Sequence, residues 1–76
     1  MAHILIIDDE IGIRDTLAMI FEYEQHQVST AESGIEGLRM ANTSETPIDC
    51  ILLDVKMPGM VAAIGMAEAV VNVWPW

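Results

Sequence analysis

Apolar residues along this chain fall into two rhythms, one of continuous short runs and one of helical spacing. Ile4 to Ile7 is an unbroken, mostly β-branched apolar run. Such a run reads as a strand covered on both faces, as in a parallel sheet. Asp8-Asp9-Glu10 ends it abruptly. From Ile11 to about Glu24, Ile13, Leu17, Ile20 and Phe21 recur on one face of a helix, which Asp8 or Asp9 is placed to cap. Gln27 to Ala31 predicts a second strand, with Val28 and Thr30 on one side. Ser33-Gly34-Ile35-Glu36 has the spacing of a capping box and opens a helix carrying Ile35, Leu38, Met40 and Ala41. Asn42 to Pro47 is a polar loop. Ile48 to Leu53 is a third apolar run, again closed by an aspartate, Asp54, and Val55 to Gly59 is a loop marked by Pro58-Gly59.

Strand, helix, strand, helix, strand is the alternation of a parallel α/β sheet with crossover helices on its faces. The pattern changes after Met60. From Met60 to Val73 nearly every residue is apolar, and on a helical net Gly65, Glu68 and Asn72 form one thin polar stripe. A surface helix normally shows the reverse, an apolar stripe on a polar cylinder. The reading divides the chain into residues 1–60, an incomplete α/β unit, and residues 61–76, a divergent apolar tail read as a helix packed against a partner.

Size and charge narrow the functional classes. Seventy-six residues make one domain at most, and a chain of this length buries only about 60% of the surface its unfolded form exposes. Twelve carboxylates against three basic residues, Arg14, Arg39 and Lys56, give a formal net charge of −9. That argues against direct contact with nucleic acid or an anionic membrane, which needs a basic surface, and is compatible with binding a cation. One cysteine, Cys50, rules out an intrachain disulfide; in an apolar run it reads as a small buried hydrophobe. Charges interrupt the first sixty residues too often for a membrane span, the tail is short for one, and the N-terminus lacks the basic start of a signal peptide. The expectation is a cytoplasmic protein.

Three aspartates close strands: Asp8 and Asp9 the first, Asp54 the third. If those strands are neighbours, the three carboxylates converge beyond their carboxyl ends, where open α/β sheets bind ligands. Clustered carboxylates repel, so the group must hold a proton or a cation. Hard oxygen donors that leave positions open suit Mg²⁺, and a carboxylate beside such a metal can act as a nucleophile toward phosphorus. An aspartate after a strand is also a common turn former or helix cap, and the residues alone leave both readings open.

Two segments carry a resemblance. Ile4-Leu5-Ile6-Ile7-Asp8-Asp9-Glu10 resembles the opening of bacterial two-component receiver domains. Pro47-Ile48-Asp49-Cys50-Ile51-Leu52-Leu53-Asp54-Val55-Lys56-Met57-Pro58-Gly59-Met60 resembles their phosphorylation-site segment. Ile13-Arg14-Asp15-Thr16-Leu17 and Thr30 to Leu38 fit as well, leaning toward the nitrogen-regulator branch. The resemblance covers residues 3–60 and implies a partial flavodoxin-like, doubly wound parallel sheet of three strands in order 2-1-3, followed by the apolar C-terminal helix. It implies that Asp54 accepts a phosphoryl group from a sensor histidine kinase. It also implies that Asp9, Asp54 and the backbone carbonyl of Lys56 bind Mg²⁺ directly, with Asp8 acting mainly through a metal-bound water. Met57-Pro58-Gly59 would shape the loop beside the site, while the Lys56 side chain is read as solvated. Such a chain is a phosphoacceptor rather than a stand-alone enzyme.

The departures from the family pattern lie mainly in the tail. Val61-Ala62-Ala63-Ile64 stands where the family continues with Asp-Gly and an amphipathic helix. No fourth strand ending in Ser or Thr and no fifth ending in Lys can be assigned, and Gln25 stands where a helix-ending glycine is common. The reading is therefore of a receiver truncated after its third strand. An open, apolar third-strand edge pairs with something, which together with the tail predicts a homodimer or higher oligomer. Three functions compete: a working phosphoacceptor, a phosphorylation-incompetent oligomerising module or remnant, and a magnesium or calcium binder without phosphotransfer.

Overall fold

The computed structural model describes residues 1–53 and the backbone of residues 73–75. Its elements run β1 (His3–Ile7), α1 (Ile11–Tyr23), β2 (Gln27–Ala31), α2 (Gly34–Thr43), β3 (Cys50–Leu53) and β4 (Val73–Pro75). All pairings are parallel and the strand order is β2-β1-β3-β4. The expected order 2-1-3 and the flavodoxin-like doubly wound architecture are therefore present, with one strand more than expected. The doubly wound topology follows from the chain path. β1 to β2 moves one way along the sheet and β2 to β3 moves back across β1, so two right-handed crossovers place α1 and α2 on opposite faces.

β1 is the spine, and all five of its residues are buried. Leu5 and Ile7 point to the α2 face, where they meet Ala31 of β2, Ala41 of α2, Ile48, and Ile51 and Leu53 of β3, with Leu38 and Met40 packed against the rim. Register sets this layer: Leu5 pairs with Ile51 and Ile7 with Leu53, so period-two alternation puts all four side chains on one face. α2 comes close because Gly37 has no side chain; a Cβ there would stand 2.8 Å from Ile7 Cγ1 and closer still to Cδ1. Ser33 caps α2 as its spacing predicts, its Oγ accepting the Glu36 N–H at 3.1 Å.

The other face is thinly covered. α1 packs on β1 and β2, yet none of its residues is buried. Ile13, Leu17 and Phe21 are half-buried as the helical spacing predicts, but Ile20 is exposed, together with Met19 and Tyr23. Periodicity identifies a shared face and not what lies over it. Cys50 and Leu52 of β3, aligned with Ile4 and Ile6 on this same face, are likewise only half-buried.

Three expectations need correction. β4 pairs along β3, Ile51 with Val73 and Leu53 with Pro75, so the third-strand edge is occupied within the chain and no longer argues for a partner. The end of the tail, residues 73–75, is strand rather than helix; the rest of the expected tail helix lies outside the described residues. Pro75 lacks an N–H and lies on the edge strand β4, where proline is tolerated. Neither Asp8 nor Asp9 caps α1. The N-cap residue is Glu10, without a side-chain cap bond, and Asp8 acts one step earlier, as described below.

Candidate functional site

β1 and β3 end level, with Ile7 and Leu53 as register partners. The residues that follow in sequence are Asp8-Asp9 on one side and Asp54 on the other. Asp54 and Lys56 lie outside the described residues, so the sites expected there have no described geometry. Asp8 and Asp9 are both described, and they differ. Asp8 is 2% exposed, whereas Asp9 is exposed to solvent. Asp8 directly continues β1, which is buried on both faces, whereas Asp9 begins the loop.

Asp8 is fixed at each of its polar groups. Its N–H donates to the Ala31 carbonyl at 3.2 Å, tying the loop to the end of β2. Its Oδ1 accepts the Glu10 N–H at 2.9 Å, a side-chain turn of the kind aspartate forms two residues ahead of a backbone donor. Its carbonyl accepts from Arg14 Nη1 at 2.8 Å, a charge-assisted bond reaching back from the first turns of α1. Among the described residues, no buried side-chain polar atom lacks a partner. The donors at this strand end are hard carboxylate oxygens, the chemistry Mg²⁺ prefers. The described residues do not by themselves gather three potential ligands.

A second polar node sits at the opposite, amino-terminal end of the sheet, and the sequence pattern did not single it out. His3 is buried. Its ring Nδ1 lies 3.2 Å from the Thr46 carbonyl and Nε2 lies 2.8 Å from Ser29 Oγ. A carbonyl can only accept, so Nδ1 donates to it, and Nε2 shares a hydrogen bond with the Ser29 hydroxyl. The His3 N–H donates to Asp49 Oδ2 at 2.8 Å, and the Asp49 N–H donates to the His3 carbonyl at 2.9 Å. Next to it, the Ala2 N–H donates to His26 Nδ1 at 3.0 Å. These bonds stitch the start of β1 to β2 and β3, which is structural work at the end of the sheet remote from the acid loop. Cys50, half-buried as a small apolar filler, has its thiol pKa pushed up by burial first and by the neighbouring Asp49 charge second, which makes it a poor nucleophile at neutral pH.

Among the described residues no helix is long and apolar enough to cross a membrane. Comparison with known proteins matches residues 4–67 to the response regulator receiver domain. The response regulator SaeR of Staphylococcus epidermidis is 43% identical over 58 residues, covering 76% of this chain. This chain spans 24% of the length of that curated relative. Among solved structures, a response regulator receiver domain protein from Clostridium thermocellum superposes with a TM-score of 0.82 at 29% identity, covering 99% of this chain and 65% of that one. A structure of histidine kinase ThkA in complex with the response regulator protein TrrA shares the fold, with a TM-score of 0.71 at 24% identity, covering 100% of this chain and 86% of that one. The match runs over most of the sequence and includes the parallel strands β1 and β3; the chain belongs to the response regulator receiver domain family.

Proposed function

We propose that this chain is a phosphoacceptor module, receiving a phosphoryl group on Asp54 from a sensor histidine kinase. The observation that supports the reading is the register of β1 on β3, in which Ile7 and Leu53 pair and an aspartate follows each. In the proposed step, a carboxylate oxygen of Asp54 attacks phosphorus, the phosphorus–nitrogen bond of a phosphohistidine breaks, and the leaving nitrogen keeps the electron pair and takes up a proton. Asp8, Asp9, Asp54 and the Lys56 carbonyl would hold Mg²⁺. When bound, the ion offsets negative charge on carboxylate and phosphoryl oxygens that would otherwise repel. Asp8, buried and already bonded to Glu10 N–H, is suited to an outer role through water, while exposed Asp9 is suited to direct coordination.

Intact mass is the test. After incubation with Mg²⁺ and a small-molecule phosphodonor, the chain is expected to gain one phosphoryl group and the Asp54→Ala variant none. No gain, with a complete receiver labelled in parallel, overturns the reading.

A second reading rests on a separate observation. Met19, Ile20 and Tyr23 of α1 are exposed around a shallow apolar hollow of about 300 Å³, and Cys50 and Leu52 are half-covered on the same face of the sheet. A surface of this kind supports self-association of the chain as a homodimer or higher oligomer, with or without phosphorylation.

A further inference from the structure

The hydrogen bond from Arg14 to the backbone of Asp8 has no counterpart in the proposed phosphotransfer step, and it lies in the loop on which that step depends. Arg14 Nη1 donates to the Asp8 carbonyl at 2.8 Å, across six residues, while the Arg14 N–H donates to the Glu10 carbonyl at 3.0 Å. The second bond is the ordinary first backbone turn of α1, so the side chain grips the β1–α1 loop at one point, the carbonyl just ahead of Asp9. The Asp8 carbonyl belongs to the peptide plane joining Asp8 to Asp9. A plane held on its oxygen side cannot rotate freely, and its rotation is what would swing the Asp9 Cα–Cβ bond. The Glu10 N–H bond to Asp8 Oδ1 at 2.9 Å holds the following peptide. Asp9 has no burial of its own to fix it, so its aim is set by these neighbouring planes.

We propose that Arg14 is a positioning residue, latching the β1–α1 loop so that Asp9 is aimed where the metal would sit; for its effect on metal binding this rests on the phosphoacceptor reading above. The guanidinium also brings a positive charge beside three consecutive acidic residues, and the two roles predict opposite results. If Arg14 acted only through charge, its removal would tighten cation binding, because the acid loop would become more negative. If it acts as a latch, removal weakens binding, since partners that orient metal ligands are typically worth about 10–100-fold in affinity. The latch wins where geometry is the limit, as it is for Mg²⁺, which demands near-ideal octahedral placement.

The test uses the full chain with Arg14→Met, which keeps most of the stem, and Arg14→Lys, which restores a donor and the charge. Two readouts are taken by NMR: amide hydrogen exchange at Asp9 and Glu10 without metal, and a Mg²⁺ titration followed at the same amides. Arg14→Met is expected to speed exchange at Glu10 and to weaken Mg²⁺ binding about ten-fold, with Arg14→Lys in between. Faster exchange in Arg14→Met, with no Mg²⁺ response even in the parent chain, supports the latch while overturning the metal-site reading. Unchanged exchange overturns the latch. So does Mg²⁺ binding that is unchanged or tighter in Arg14→Met. Exchange of the β1 amides Leu5 and Ile6 reports the fold; acceleration there equal to that at Glu10 would mean general loosening, and also overturns the proposal.

Discussion

At Gln25 the backbone enters the left-handed region, with φ at 68°. The cause is the end of α1: the Gln25 N–H donates to the Glu22 carbonyl at 2.9 Å and the His26 N–H to the Phe21 carbonyl at 3.0 Å. This is the paired closure in which the residue after the C-cap must turn left-handed, a place usually held by glycine. A side chain there costs about 1–2 kcal/mol in local sterics, partly offset because glycine leaves the unfolded chain more freedom. Gln25→Gly is therefore expected to stabilise the fold by about 0.5–1 kcal/mol, read as a higher denaturant midpoint with an unchanged slope. The sequence showed an unusual residue at a glycine position but not that the conformation is kept despite it. The acid residues were legible for a related reason, since aspartates directly after apolar runs fall at strand ends. The latch from Arg14 and the burial of His3 were not legible. The first depends on a side chain reaching back over a loop and the second on partners met across the sheet, and the apolar rhythm encodes neither.

Among the elements, α2 shows how closely the layers approach. The space a Cβ at Gly37 would need is filled by Ile7, which is fully buried and has little room to yield. Gly37→Ala would gain about 0.5–1 kcal/mol of helix preference and lose about 1–3 kcal/mol to overpacking. The expected net is destabilisation of about 1–2 kcal/mol by chemical denaturation. Ile7→Val removes the methyl nearest the clash, so the double variant is expected to be more stable than the sum of the two single changes; strict additivity would show that the two residues do not meet. The elements from β1 to β3 stand close to their sequence-predicted bounds because each has a clear period and clear stops. β4 was not legible: a stretch that is apolar almost throughout carries neither period, so strand and helix read alike. The exposure of Ile20 was missed because a periodic face is a property of one helix, while its covering belongs to another element.

For the whole molecule, the exposed flank of α1 and the net charge of −9 oppose each other. Apolar contact favours self-association and like charge resists it, over a screening distance of about 30 Å at ~10 mM salt and about 8 Å at ~150 mM. If the flank is an interface, association is expected to strengthen as salt rises, and Ile20→Glu is expected to give a monomer at both salt concentrations. Analytical ultracentrifugation decides this, and a parent chain monomeric throughout overturns the oligomer reading. The spine position of β1 also carries a consequence for synthesis. Its partners lie far along the chain: the contact from Ala2 to His26 spans 24 residues and that from His3 to Asp49 spans 46. At roughly 5–20 residues per second, a ribosome takes about 2–9 s between making the central strand and making the neighbour that closes its second edge. The fully buried β1 is thus made first and waits longer than β3 for its second neighbour, so the nascent chain is most in need of a chaperone at this strand.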